Sequence, residues 1–214
     1  MPPRGPLPRR PWSGTLSRVD TKPRLVVGIT GASGAIYGIR LLERLRELEV
    51  ETHLIATRWS RVTIEDETPY SFAEVKKLAD EVHAENDLAA SVSSGSFLTR
   101  GMVIAPCTVK TLAAIATGFS HNLVARAADV TLKERRPLVL AVRETPLSSI
   151  HLRNMLTLSE LGATILPPVP AFYHGPAGID DIVDQTVLRI LDQFAFELEA
   201  GSRWRGLAAE AERD

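Results

Sequence analysis

Apolar residues follow two rhythms along this chain. Short runs in which nearly every residue is apolar alternate with longer stretches in which apolar residues recur every three or four positions. Runs of the first kind fall at residues 25–30, 52–57, 102–106, 138–143 and 164–166, with a weaker one at 80–84. Stretches of the second kind fall at 35–49, 58–67, 71–78, 109–116, 123–134, 150–161 and 179–198. In the last of these, Ile179, Ile182, Val183, Ile190, Leu191, Phe194 and Leu198 share one helical face. Strands that are apolar throughout are buried on both faces, as in a parallel sheet covered by helices. The β-α-β alternation therefore predicts an α/β fold: a single-domain, three-layer, Rossmann-like sandwich around a doubly wound parallel sheet. Residues 91–101, rich in serine and glycine, read as a loop.

Composition narrows the picture. A chain of 214 residues holds one such domain with a full core. No apolar run approaches the roughly 20 residues that cross a bilayer, so no membrane partner is expected. The single cysteine, Cys107, excludes an intramolecular disulfide and fits a reducing, cytoplasmic setting. The net charge of −1 hides an asymmetry: residues 1–24 carry +5, which leaves −6 on residues 25–214. The mildly acidic body disfavours nucleic acid as a partner. Residues 1–22, rich in proline and arginine and without the apolar stretch of a signal peptide, are expected to form a disordered extension. Residues 23–206 are then the domain and 207–214 a flexible tail.

Ligands of doubly wound sheets sit at the carboxyl ends of the strands, which selects the residues to inspect. After the first strand comes Thr30-Gly31-Ala32-Ser33-Gly34, a turn into a helix whose first N–H groups bind phosphate. It resembles a dinucleotide fingerprint but departs from it. Tyr37 stands where the further glycine belongs, and Gly38 comes one residue late. The second strand ends in Ala56-Thr57-Arg58, without the acid that holds a ribose. A mononucleotide fits better, with Thr57 as a second hydroxyl donor. Pro106-Cys107-Thr108-Val109-Lys110-Thr111 is another polar strand end. Cys107, with no histidine or aspartate close in sequence, reads as a small buried hydrophobe rather than a nucleophile. Five basic groups fall between Arg126 and Arg143. A solvated face accounts for Arg135 and Arg136, whereas Arg143-Glu144 stands at the ligand edge. Cations without metal ligands suit a phosphate or pyrophosphate leaving group, and a carboxylate among them suits a proton carrier. The five histidines are scattered without metal-ligand spacing, so no metal is expected. Trp59 and Trp204 are candidates to pack on a planar cofactor, with core packing an equal alternative.

Taken in order, several segments resemble the UbiX-type flavin prenyltransferases: Thr30-Gly31-Ala32-Ser33-Gly34-Ala35, Ser94-Gly95-Ser96, Pro106-Cys107-Thr108, Arg126-Ala127-Ala128-Asp129-Val130, Leu132-Lys133-Glu134-Arg135-Arg136, Arg143-Glu144-Thr145-Pro146, Asn154-Met155-Leu156 and Pro170-Ala171-Phe172-Tyr173. The resemblance implies a flavodoxin-like fold and a metal-independent transferase. It would join a dimethylallyl group from dimethylallyl monophosphate to N5 and C6 of reduced FMN, making prenylated FMN for a UbiD-type decarboxylase. It also implies a homo-oligomer, a dodecamer, with sites between subunits. On the same ground Gly31, Ala32, Ser33, Thr57, Thr108, Val109, Lys110, Thr111 and Arg143 would meet FMN. Ser94, Arg126, Lys133, Arg143, Tyr173 and Arg189 would cradle the prenyl phosphate. Glu144, Glu67 and Lys133 would serve catalysis, and Trp204 would close the site with an aromatic wall. Two alternatives stand beside this. One is a flavin-dependent cysteine decarboxylase, which needs a histidine that residues 54–82 lack. The other is a non-catalytic flavoprotein that assists a decarboxylase.

Overall fold

The computed structural model describes residues 22–196. Nearly all of the expected extension (1–22), the tail (207–214) and Trp204 lie outside the described residues. Among these, six strands form one parallel sheet: β1 (Arg24–Ile29), β2 (Glu51–Ala56), β3 (Glu81–His83), β4 (Met102–Cys107), β5 (Leu138–Val142) and β6 (Thr164–Ile165). Their spatial order is β3-β2-β1-β4-β5-β6. Of the two common doubly wound orders this is the 3-2-1-4-5-6 arrangement, with its switch point between β1 and β4. Seven helices flank the sheet: α1 (Ala35–Glu47), α2 (Arg58–Glu67), α3 (Phe72–Lys76), α4 (Val109–Ala116), α5 (Leu123–Lys133), α6 (Ser149–Glu160) and α7 (Ile179–Asp192).

Alternation along each strand sorts side chains into two cores. Leu25, Val27 and Ile29 join Leu54, Val103, Ala105, Val139 and Ala141 under α1 and α7. Val26 joins Ile55, Met102, Ile104, Leu138 and Leu140 under α4 and α5. A one-residue slip would exchange the two sets, so double-sided burial fixes the register Val27↔Leu54 and Val26↔Met102.

Three helices are shorter than their apolar spacing predicts, among them α3, expected over 71–78 and found at Phe72–Lys76 between its caps Ser71 and Lys77. α1 ends at Glu47 rather than 49, and Glu49 takes a left-handed turn (φ 54°) into β2. α7 ends at Asp192 although Phe194 is buried, because the chain reaches the core through a turn in which Ala195 has φ 54°. The expected continuation to 198 lies partly outside the described residues. Hydrophobic spacing registers which residues face the core, not whether the backbone between them is still helical.

Gly38, the glycine one place late for a dinucleotide loop, lies where α1 crosses the sheet. A Cβ there would collide with the Ala105 carbonyl oxygen and stand 2.9 Å from two carbons of Ile29. Close helix–sheet packing is the task of the third glycine in the dinucleotide motif, and Gly38 performs it from a shifted position. Gly38→Ala adds up to about 1 kcal/mol of helix propensity but overpacks a backbone contact, at about 1–3 kcal/mol. Net destabilisation with an unchanged m-value is expected in urea; equal or higher stability would show that α1 can lift off β4.

Candidate active site

The two turns at the switch point are tied together by Thr30. Its hydroxyl donates to the Pro106 carbonyl (2.7 Å) and accepts the Thr108 N–H (3.0 Å). Its own N–H donates to the same carbonyl (3.3 Å). Pro106 has no N–H, so the β4–β5 ladder shifts register between Ile104 and Cys107. The turn that follows is held by Thr30 on one side and by β5 on the other, where the Arg143 N–H donates to the Cys107 carbonyl.

Helix starts converge here. Thr57 caps α2, its hydroxyl oxygen accepting the Ser60 N–H at 3.3 Å. Thr108 caps α4 through the Thr111 N–H at 3.2 Å, and its own hydroxyl is directed to Thr111 Oγ1. Asn122 caps α5 through the Ala125 N–H at 3.0 Å. The cap bond uses only acceptor capacity, so the Thr57 hydroxyl proton remains available to a ligand. Partial positive charge at these N-termini favours an anion.

They open on a cleft of about 380 Å³, within the range of small-molecule sites. Five of the expected flavin residues line it: Gly31, Thr57, Thr108, Lys110 and Thr111. A Cβ on Gly31 would collide with Cβ of Trp59, whose exposed ring borders the same cleft. Of the two readings weighed for Trp59, core packing is therefore set aside. Ala32 and Ser33 are half-buried on the same turn. Val109 packs against the α4–α5 core and does not line the cleft. Glu85, Asn86, His121 and Asn122 also line the cleft. They come from the segment after β3 and from the α4–α5 turn, which inspection of strand ends passes over. Their one sequence signal is Asn122 before the apolar Leu123-Val124, an N-cap pattern. The acid missing from the end of β2 is supplied by Glu85, and its Oε2 accepts the Arg58 N–H at 3.0 Å.

Both expected acids stand at this carboxyl edge. Glu67, the last residue of α2, accepts the Gly34 N–H at 2.7 Å and so reaches the start of α1. Glu144 follows β5, and its Oε1 accepts the Thr145 N–H at 3.0 Å. Arg143 is exposed beside it, its N–H bonded to the Cys107 carbonyl.

Apart from Arg143, the expected phosphate residues are elsewhere. Lys133 ends α5, an 11-residue helix of roughly 16 Å that starts at the cleft. It stands against Gly95, on the loop whose Phe97 ring lies under Arg24 at the start of β1, and so at the amino edge of the sheet, paired with Glu134. Ser94 is beside it, on the loop that leads to β4. Arg126 donates to the Ser93 carbonyl (3.2 Å) and pairs with Asp129 (2.9 Å). Tyr173 and Arg189 line a third region, a cavity of about 640 Å³ with Gln185 and Thr186. That cavity shares no lining residue with the cleft. Arg136, read from sequence as part of a solvated face, is instead half-buried and bonded to the carbonyls of Gly95 and Phe97 at 2.7 Å each. Among the described residues no three His, Cys, Asp or Glu side chains come together as a metal site, and no helix is long and apolar enough to cross a membrane.

A family model described as Flavoprotein matches residues 13–191. A probable UbiX-like flavin prenyltransferase of Streptomyces sp. (strain D7) is 61% identical over 187 residues, covering 87% of this chain and 94% of its own. The crystal structure of AnUbiX (PadA1) in complex with FMN and dimethylallyl pyrophosphate is 54% identical, with a TM-score of 0.84, covering 87% of this chain and 99% of that one. A dodecameric FMN-dependent UbiX-like decarboxylase from Escherichia coli O157:H7 is 55% identical, also at a TM-score of 0.84, covering 86% and 100%.

Cys107 is fully buried at the end of β4, and burial pushes its thiol up to about 12. It is therefore neither exposed nor a thiolate at neutral pH. At pH 8 the native protein is expected to resist iodoacetamide and to be alkylated once unfolded; rapid labelling of the native state would return Cys107 to the list of nucleophiles.

Proposed function

The chain belongs to the flavoprotein family and, within it, to the UbiX-like flavin prenyltransferases, and from that premise we propose that it joins a dimethylallyl group from dimethylallyl monophosphate to N5 and C6 of reduced FMN. The product, prenylated FMN, serves a UbiD-type decarboxylase. The observation that carries the reading is the cleft at the switch point. It offers a glycine turn, a free Thr57 hydroxyl and helix N-termini to one nucleotide, while the one acid near the end of β2 is engaged by the Arg58 amide. FMN fits this donor set, held by Gly31, Ala32, Ser33, Thr57, Thr108, Lys110 and Thr111.

The flavin supplies the nucleophilic nitrogen and the ring system that receives the prenyl group. The chain's part is to ionise and contain the donor. As the allylic carbon–oxygen bond breaks, negative charge develops on the phosphate. Lys133, Arg126, Arg143 and Arg189 stabilise it as fixed cations, with Ser94 and Tyr173 adding hydroxyls. Glu144, with Oε1 pinned by the Thr145 amide, keeps Oε2 for a proton exchanged with the departing phosphate. Glu67, fixed to Gly34, holds a second carboxylate at the flavin turn.

These groups lie at opposite edges of one chain's sheet, so a site is completed by other copies. The dodecameric relative agrees with such an assembly. So does α6, which buries only Leu158 and leaves Ile150, Leu152 and Leu156 exposed. A dodecamer is accordingly part of the proposal, as is a reducing, cytoplasmic setting for the buried, unpaired Cys107.

Incubated anaerobically with reduced FMN and dimethylallyl monophosphate, the protein should return a flavin heavier by one prenyl unit in the mass spectrum. The pyrophosphate run in parallel tells which donor is used. An unchanged flavin with both donors would refute the reaction. Glu144→Gln is expected to bind FMN normally and to slow turnover by about 10²- to 10⁴-fold; full activity would remove Glu144 from the mechanism. Lys133→Ala should weaken the prenyl phosphate far more than FMN, read by titration of each.

A further inference from the structure

Lys133 and the hydroxyls beside it owe their relation to a loop that makes no ladder of its own, and the way this loop is held singles out one residue. Residues 94–101 cross the amino edge of the sheet before β4. Arg136 lies behind them and grips two carbonyls at once: Nη1 donates to Phe97 and Nη2 to Gly95, each at 2.7 Å. A planar guanidinium spans two acceptors in this way, and a lysine ammonium does not. Both bonds go to backbone, which leaves Ser94 Oγ and Ser96 Oγ, 2.9 Å apart, on the loop's other atoms.

The grip has two supports. The Phe97 ring sits with the Arg24 guanidinium 5.1 Å from its centroid and the buried His53 ring edge-on at 4.9 Å. Gly95 lies directly on the Lys133–Glu134 ion pair: a Cβ there would collide with the Glu134 carboxylate and stand 2.8 Å from Lys133 Nζ. Glu134, whose carboxyl is held below its usual range by the Lys133 hydrogen bond and charge, keeps the ammonium at the loop. Arg136 thus presses Gly95 against Lys133 and brings the serine hydroxyls and the ammonium to one place.

We infer that Arg136 is a positioning residue for the prenyl phosphate: it touches no substrate, but its two-carbonyl grip sets the distance between the Ser94-Gly95-Ser96 hydroxyls and Lys133. This rests on the reading that Ser94 and Lys133 receive that phosphate. A role confined to stability would lower the unfolding temperature and leave ligand preference alone. A positioning role separates the two ligands and separates KM from kcat.

The test uses the assembled protein with FMN. Calorimetry with oxidised FMN bound gives the affinity for dimethylallyl monophosphate without turnover, and the prenylation assay gives KM and kcat. Arg136→Ala is expected to weaken the prenyl phosphate about ten- to hundred-fold, as for loss of charge-assisted hydrogen bonds, with FMN affinity and kcat within about two-fold of wild type. Arg136→Lys should recover only part of the loss. Gly95→Ala, whose Cβ displaces the Glu134 carboxylate and the Lys133 ammonium from the loop, should give a selective defect of the same kind, and Arg136→Lys decides the matter if Arg136→Ala does not assemble. Lys133→Ala is the reference. If it loses the prenyl phosphate while Arg136→Ala and Gly95→Ala keep it, the inference is wrong and the function stands. Equal losses for FMN and prenyl phosphate in the Arg136 variants also overturn it. If wild type neither binds nor uses the prenyl phosphate, the functional reading fails and takes the inference with it.

Discussion

The Thr30 hydroxyl holds the carboxyl edge of this sheet in order. At the switch point of a parallel sheet the connections that follow the two adjacent strands leave to opposite faces, and nothing in the ladder fixes how their first turns face each other. Here Pro106 shifts the register on the β5 side of β4, and on the other side Thr30 ties the β1 turn to the β4 turn, giving to one backbone group and taking from another. The consequence is that Gly31 and Thr108, 77 positions apart in sequence, present themselves to one cleft. Thr57 is held from the third side by its own cap and by the β1–β2 pairing.

Caps and ligand donors are the same atoms in this site. Thr57 and Thr108 each satisfy a helix start through a hydroxyl oxygen on the wall of the cleft. The chain therefore keeps these hydroxyls oriented whether or not a ligand is bound, and little ordering remains to be done on binding. Serine at either position would keep both functions, whereas valine would lose both. Glu67 and Glu85 follow the same logic. Each carboxylate is tied to a backbone amide at the edge of the cleft, Gly34 for one and Arg58 for the other.

The residues read together as one active site from sequence fall into three places in one chain. The flavin set is at the carboxyl edge, Lys133 and Ser94 are a helix length away at the amino edge, and Tyr173 and Arg189 line a separate cavity. Order along the chain carried no hint of this separation: α5 sets the first two apart, with Asn122 at one end and Lys133 at the other, and the third is built by α7 and the segment after β6. Arg136 illustrates the same limit. In a run of charged residues it looked like solvated surface, yet it is committed to two carbonyls of a loop about forty residues earlier. Glu85, Asn86 and His121 have no strand-end position in the sequence for a related reason: they enter the cleft from the segment after β3 and from the turn between α4 and α5.

What the local sequence pattern determined alone is the class of fold and the anionic character of the ligand. Double-sided apolar strands admit only a covered parallel sheet, and glycine turns, hydroxyls and cations without metal ligands admit anionic substrates. These follow from local composition and period, which are properties of neighbouring residues. What only tertiary structure decided is distance. Gly38 packs α1 onto β4 rather than completing a dinucleotide loop, Trp59 leans over Gly31, and the phosphate residues stand apart from the flavin turn. Such contacts join segments tens of residues apart, and their geometry is set by sheet order and helix length, which no local pattern encodes.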